Sequence, residues 1–288
     1  MNKNNLSLIN KYLSLLLILP FTYFGYSQEK LLYKQIDSTE LYMRIFYPSS
    51  IGVKKINYPA ILFFHGGGWI NGSLYQLKPH AEYFSQRGVV SILVEYRVKN
   101  KHKTSPFESL KDAKSAVRFV KKNAVKLRID TTKIVTAGAS SGGHLAAATA
   151  LIDGYNEYTD DMSIDASPDA LILFNPVVDN GPGGYGYNRI DEEYKDFSPI
   201  HNLKQGAPPT ILFLGTDDVL IPVETLKYYQ KVMEKVGSRC ELFLYEGQAH
   251  GFFNHRNFEY YKKTVSKADK FLQSINFLSN KMTIEIKK

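Results

Sequence analysis

Short apolar runs alternating with stretches of helical periodicity constrain this 288-residue chain more than any other feature. The runs Ala60–Phe64, Val89–Tyr96, Lys133–Ala137, Ala170–Phe174 and Thr210–Leu214 are too short for buried helices and read as strands covered on both faces. Between them, helices are predicted over Leu77–Arg87, over Phe107–Leu127, where Leu110, Ala113, Val117, Val120 and Ala124 share one face, and from Ser141 to Ile152. Val223–Val236 and Phe258–Leu272 follow as helices, with a strand at Glu241–Tyr245 between them. Alternation of this kind gives a mostly parallel central sheet flanked by helices on both faces, an α/β fold. Leu31–Tyr33 and Leu41–Tyr47, separated by Asp37-Ser38-Thr39, add an antiparallel pair at the start. Segment 179–209, rich in glycine, proline and tyrosine, reads as a long loop or lid over the edge of the sheet where ligands bind in such folds.

Residues 1–27 have a different character. Lys3 and Lys11 precede an apolar run from Leu13 to Phe24, and small residues follow at Gly25 and Ser27, the layout of a signal peptide. The run falls short of the roughly 20 residues that span a bilayer, so export with cleavage is expected and a stable membrane anchor is not. The chain is then secreted or periplasmic, with 28–288 forming a single catalytic domain. Cys240 is the sole cysteine, which excludes an internal disulfide. The formal net charge is +8, of which the leader supplies two lysines. Lys99, Lys101 and Lys103 cluster and would suit an acidic polymer, although such runs more often mark a solvated surface. No nucleic-acid partner is expected.

The sharpest chemical signal is Gly138-Ala139-Ser140-Ser141-Gly142, a G-x-S-x-G sequence between a predicted strand and a predicted helix. A serine hydroxyl is a poor nucleophile at neutral pH, and such a turn presents it to a base while flanking glycines let the backbone pass. The register selects Ser140, because for Ser141 the leading glycine position is held by Ala139. His65-Gly66-Gly67-Gly68-Trp69 follows a buried strand, and its glycines can aim N–H groups at an oxyanion. Gly66, Gly67 and Ser141 are the expected donors, with His65 structural. No Gly-Lys-Ser/Thr follows, which excludes a P-loop.

A base and its orienting acid should come later in the chain, acid first. His250 follows the Glu241–Tyr245 strand and is preferred to His255, which lies farther from the strand end. Asp217 and Asp218 both follow Thr210–Leu214, and the residues alone leave the choice open. No histidine or cysteine cluster has zinc-ligand spacing, so neither metal nor cofactor is expected. Trp69, Tyr185, Tyr187 and Tyr194 could offer apolar faces to a sugar or an aromatic acyl group, or pack in the core.

Together HGGGW, GASSGGH, GTDDVLIP and QAHGFF resemble the α/β-hydrolase fold esterases related to acetyl, feruloyl and acetyl-xylan esterases and to the hormone-sensitive-lipase group. The resemblance covers about Tyr58 to the end. It places the acid three residues after the glycine of the GTDD segment, at Asp218, and implies a serine carboxylesterase working through an acyl-enzyme without a cofactor. The helical cap that precedes the HGGG strand in the hormone-sensitive-lipase branch has no counterpart in sequence. Ser141 departs from the alanine common at its position. Export and the resemblance together imply short-chain or hydroxycinnamoyl esters, with an acylated polysaccharide or oligosaccharide as substrate. The alternatives are a lipid esterase, a peptidase or amidase of the same fold, and a non-catalytic binding protein that retains it.

Overall fold

The structure is a computed structural model that describes residues 28–49, 51, 57–280, 284–286 and 288. The expected leader, residues 1–27, lies outside the described residues. In chain order the elements are β1 (Gln28–Ile36), β2 (Thr39–Phe46), β3 (Tyr58–Phe64), α1 (Lys78–Gln86), β4 (Val90–Val94), α2 (Lys99–His102), α3 (Pro106–Lys122), α4 (Ala124–Leu127), β5 (Ile129–Ala139), α5 (Ser141–Leu151), β6 (Ala170–Phe174), α6 (Tyr187–Ile190), α7 (Tyr194–Phe197), β7 (Thr210–Gly215), α8 (Val223–Lys235), β8 (Cys240–Tyr245) and α9 (Phe258–Ser274).

The strands form one eight-stranded sheet in the order β1-β2-β4-β3-β5-β6-β7-β8. Pairings β1·β2 and β2·β4 are antiparallel and the rest are parallel. The alternation of side chains along β3 divides the core. Leu62 and Phe64 face one layer with residues of α3, α5 and α8, while Ile61 and Phe63 face the other with residues of α1 and α9. Because the six neighbouring strands from β4 to β8 in the sheet run the same way, the C-terminal ends of β3, β5, β6, β7 and β8 fall along one edge.

Local chemistry sets the element ends. Helix α3 opens with a capping box: Ser105 accepts from Phe107 N–H, and Glu108 accepts from the Ser105 N–H at 2.9 Å. The helix expected to run through Leu127 stops at Lys122, because the Asn123 side chain donates to the Phe119 carbonyl at 2.8 Å and leaves only a one-turn α4. Segment 179–209, read from sequence as a loop, contains α6, α7 and two 3₁₀ turns, Asp191–Glu193 and Pro199–Asn202. Elements of three or four residues are too short to show a helical period. Their anchors are Ile190 and Phe197, both buried, and His144 of α5, whose Nε2 lies 2.8 Å from the Phe197 carbonyl.

Candidate active site

Ser140 stands at the junction of β5 and α5 with φ 54° and ψ −119°, a left-handed conformation that non-glycine residues rarely adopt. Three backbone hydrogen bonds hold it there. Its N–H donates to Phe174 at 3.0 Å, and its carbonyl accepts from His144 and Val177, each at 3.1 Å. The two motif glycines are required by close approach. A Cβ on Gly142 would stand 2.2 Å from the Phe64 carbonyl oxygen, and one on Gly138 would stand 2.1 Å from that of Gly142. Helix α5 is buried along its whole length, so the strained turn rests on a fixed support.

Ser140, Gly66, Gly67, Tyr185, Asn175 and His250 line one cavity of about 340 Å³ at the sheet edge. His250 enters from the loop after β8, and its Nδ1 lies 2.7 Å from Asp218 Oδ2. Asp218 follows β7 with its side chain completely buried, and its other oxygen accepts from Leu220 N–H at 2.9 Å and Ile221 N–H at 3.1 Å. Two backbone donors therefore fix the carboxylate, and the carboxylate fixes the ring. Asp217 is exposed and lies against its neighbour Thr216, away from the imidazole. His255 packs on Phe258 and Tyr261 and lines a different cavity, with Pro79 and Tyr83.

Asn175, which the sequence reading passed over, directly follows β6 at φ 35°. Its Oδ1 accepts from Gly251 N–H at 2.9 Å, and its Nδ2 lies 3.4 Å from His250 Nε2. It braces the loop that carries the imidazole and reaches the ring nitrogen that faces the cavity. An asparagine before a proline reads as a turn, but its position at the end of a buried parallel strand put it on the same edge as the serine.

The glycine loop differs from expectation at Gly66. Its N–H donates to the Gln76 side-chain oxygen at 2.7 Å, so it is not available to an oxyanion. Gly68 N–H donates to the Ser141 hydroxyl at 2.8 Å. Gly67 N–H makes no hydrogen bond among the described residues, and Ser141 N–H, first in α5, has no intrahelical partner. Those two N–H groups are the free donors, with the positive end of α5 behind one of them. The Tyr96 hydroxyl donates to the His65 carbonyl at 2.6 Å. The buried bond from Gly68 to Ser141 thus ties the glycine loop to the turn that carries Ser140. His65 stacks on Tyr96 at 4.3 Å between ring centres, and burial lowers its pKa.

Three of the four aromatic residues offered as substrate faces, Trp69, Tyr187 and Tyr194, do not border the serine cavity. Trp69, with φ 59°, turns away from it and is 1% exposed, edge-on to His144 at 5.2 Å and Phe197 at 6.1 Å. Burial lowers the His144 pKa to about 3, so this contact involves a neutral ring. Tyr187 packs against Tyr194 at 6.0 Å. Tyr185 alone of the group lines the cavity.

The BD-FAE family model matches residues 43–182, and the dienelactone hydrolase family model matches residues 175–281. The apo form of Thermogutta terrifontis esterase 2 superposes with a TM-score of 0.83 at 40% identity, over 88% of this chain and 96% of that one. Carboxylesterase NlhH of Mycobacterium tuberculosis is 32% identical over 238 residues, 75% of this chain and 72% of the relative. Endo-1,4-beta-xylanase B of Butyrivibrio fibrisolvens is 31% identical over 183 residues, 57% of this chain and 28% of the relative. The chain spans about half the length of other curated relatives, for example 50% of the isoprenylcysteine alpha-carbonyl methylesterase ICME of Arabidopsis thaliana at 26% identity. With the strained serine turn and the mostly parallel sheet, these similarities show that the chain belongs to the α/β-hydrolase fold esterases.

Proposed function

We propose that this chain is an exported serine carboxylesterase that removes short acyl or hydroxycinnamoyl groups from oligosaccharides or polysaccharides, with Ser140, His250 and Asp218 as its triad. One observation carries the catalytic reading: a strained, buried serine and an imidazole held 2.7 Å from a buried carboxylate open into the same cavity. His250 accepts the Ser140 proton as the hydroxyl oxygen attacks the ester carbonyl, and returns it to the departing alcohol. Water then attacks the acyl-enzyme with the same base, releasing the acid and regenerating the serine. In each half the carbonyl oxygen becomes an oxyanion, for which Gly67 N–H and Ser141 N–H are the available donors. Asp218 keeps the Nδ1 proton in place and stabilises the imidazolium.

Two considerations support the carbohydrate part. The leader-like residues 1–27 suit a chain that meets polymers outside the cell. The similarity to a protein named Endo-1,4-beta-xylanase B supports a polysaccharide substrate. Hydrolysis of p-nitrophenyl acetate, butyrate and octanoate, measured beside acetate release from acetylated xylan with the mature chain and Ser140→Ala, tests both parts. Ser140-dependent acetate release is expected. Turnover confined to the chromogenic esters removes the polysaccharide, and no turnover overturns the triad. N-terminal sequencing of the extracellular or periplasmic product checks for cleavage near Ser27.

A further inference from the structure

A second cavity, of about 370 Å³, shares the Gly68 wall with the serine cavity and is lined by Trp69, Ile70, Pro106, Lys99, Lys103 and Arg189 among others. This volume is within the range of small-molecule sites. Its lining combines apolar and cationic side chains. Among the described residues, none of the three basic side chains pairs with a carboxylate: Arg189 donates to the Gly68 carbonyl at 3.0 Å and lies over the Tyr185 ring, while Lys103 reaches only the Asn100 carbonyl. The neighbouring acid, Glu108, is engaged by the Ser105 backbone and hydroxyl.

Two polar atoms are left over in this lining. The indole Nε1 of Trp69, in a residue 1% exposed, and the Oγ1 of Thr104 are buried without hydrogen-bond partners, although both residues line the cavity. A buried donor without an acceptor is unfavourable, so such groups are normally satisfied by water or a ligand. Arg189 joins the two cavities. Its guanidinium lies over Tyr185, which lines the serine cavity, and the residue itself lines the second. Gly68 borders both cavities, so the three unpaired cations lie next to the cavity that holds Ser140.

We infer that this second cavity is a subsite for an anionic sugar residue, bearing a carboxylate or sulfate, next to the acylated sugar of the substrate. The position of the reacting ester rests on the esterase reading above; the cationic cavity does not. The apolar side chains take a face of the sugar ring, and Lys99, Lys103 and Arg189 take the charge. The serine cavity alone would accept any small ester, whereas the pair of cavities selects acylated segments of acidic polymers.

Trp69 is the only tryptophan in the chain, so its emission reports on the cavity whether or not the enzyme turns over. The test is a fluorescence titration of the mature chain with a glucuronate-bearing xylo-oligosaccharide, a sulfated oligosaccharide and a neutral xylo-oligosaccharide. At least one acidic probe should shift the emission, with a Kd about tenfold below that of the neutral one at low salt. That advantage should vanish at 1 M salt and in Lys99→Gln/Lys103→Asn. Both lysines are exposed, and asparagine tolerates the left-handed backbone of residue 103 at φ 58°. Which acidic probe responds identifies the anion. Equal binding of acidic and neutral probes, a Kd unmoved by salt and by the double variant, or no emission change with any probe overturns the subsite. Hydrolysis of p-nitrophenyl butyrate by the same samples separates the two readings: turnover without a saccharide response refutes the subsite alone, and a response without turnover refutes the esterase while the subsite stands.

Discussion

Asp218→Asn should cost about four powers of ten in kcat while the fold survives, and Asp217→Asn should cost less than about threefold. The asparagine can keep one oxygen for the Leu220 and Ile221 N–H groups, which now bond Asp218 Oδ1 at 2.9 and 3.1 Å. The position 2.7 Å from His250 Nδ1 then holds an amide NH₂ in place of Oδ2. That donor requires an unprotonated Nδ1, which puts the ring proton on Nε2, where the base must be free. The variant also lacks the charge that stabilises the imidazolium. Four powers of ten correspond to about 5.5 kcal/mol of transition-state stabilisation. Asp217 is exposed, and its backbone N–H, bonded to the Gln248 carbonyl at 3.0 Å, is unaffected by a side-chain change. The assay is kcat and KM on p-nitrophenyl butyrate, with a circular dichroism melt to show that both variants unfold cooperatively. Equal losses in the two variants, or a larger loss for Asp217→Asn, would refute the triad assignment.

Other consequences are open to simpler tests. Gly142→Ala must move a backbone carbonyl, because the new Cβ would sit 2.2 Å from Phe64 O, whereas Gly154 has nothing within 4 Å of its Cβ position; thermal melts should show a loss of about 3 kcal/mol or more for the first and within about 0.5 kcal/mol for Gly154→Ala. Ser141→Ala removes the acceptor for Gly68 N–H, so kcat should fall by about tenfold with KM little changed, and an unchanged kcat would show that the hydroxyl does not position the loop. Acid should destabilise the protein through Asp269 and Glu157: burial opposes ionisation of both, but hydrogen bonds to Asp269 from Arg87, Tyr83 and Gln273, and to Glu157 from Lys34 and Arg97, outweigh it and hold both pKa values below normal. Their stabilisation is complete above the unfolded carboxylate range and is lost as pH falls through the lower native values, so the melting temperature should drop below about pH 4 and drop less in Asp269→Asn, which starts from a lower value.

Features set by short stretches of backbone were legible in the sequence. The turn at Ser140 needs glycines at 138 and 142 because neighbouring carbonyls leave no room for a Cβ, and that requirement is written within five residues. The order of strands and helices was likewise readable from apolar runs and periodicity, down to the antiparallel β1·β2 pair. What could not be read depends on which distant group wins a hydrogen bond or a place in the core. Gly66 resembles its neighbours as an N–H donor until Gln76, ten residues on, reaches back to take it. Asp217 and Asp218 share one loop, and only the Leu220 and Ile221 N–H groups and the incoming His250 distinguish them. Trp69 follows the glycines as a substrate platform would, yet its backbone at φ 59° directs the ring onto His144 and Phe197, residues far along the chain. The same outcome leaves the Trp69 Nε1 without a hydrogen-bond partner, in a residue that lines the second cavity together with three unpaired cations.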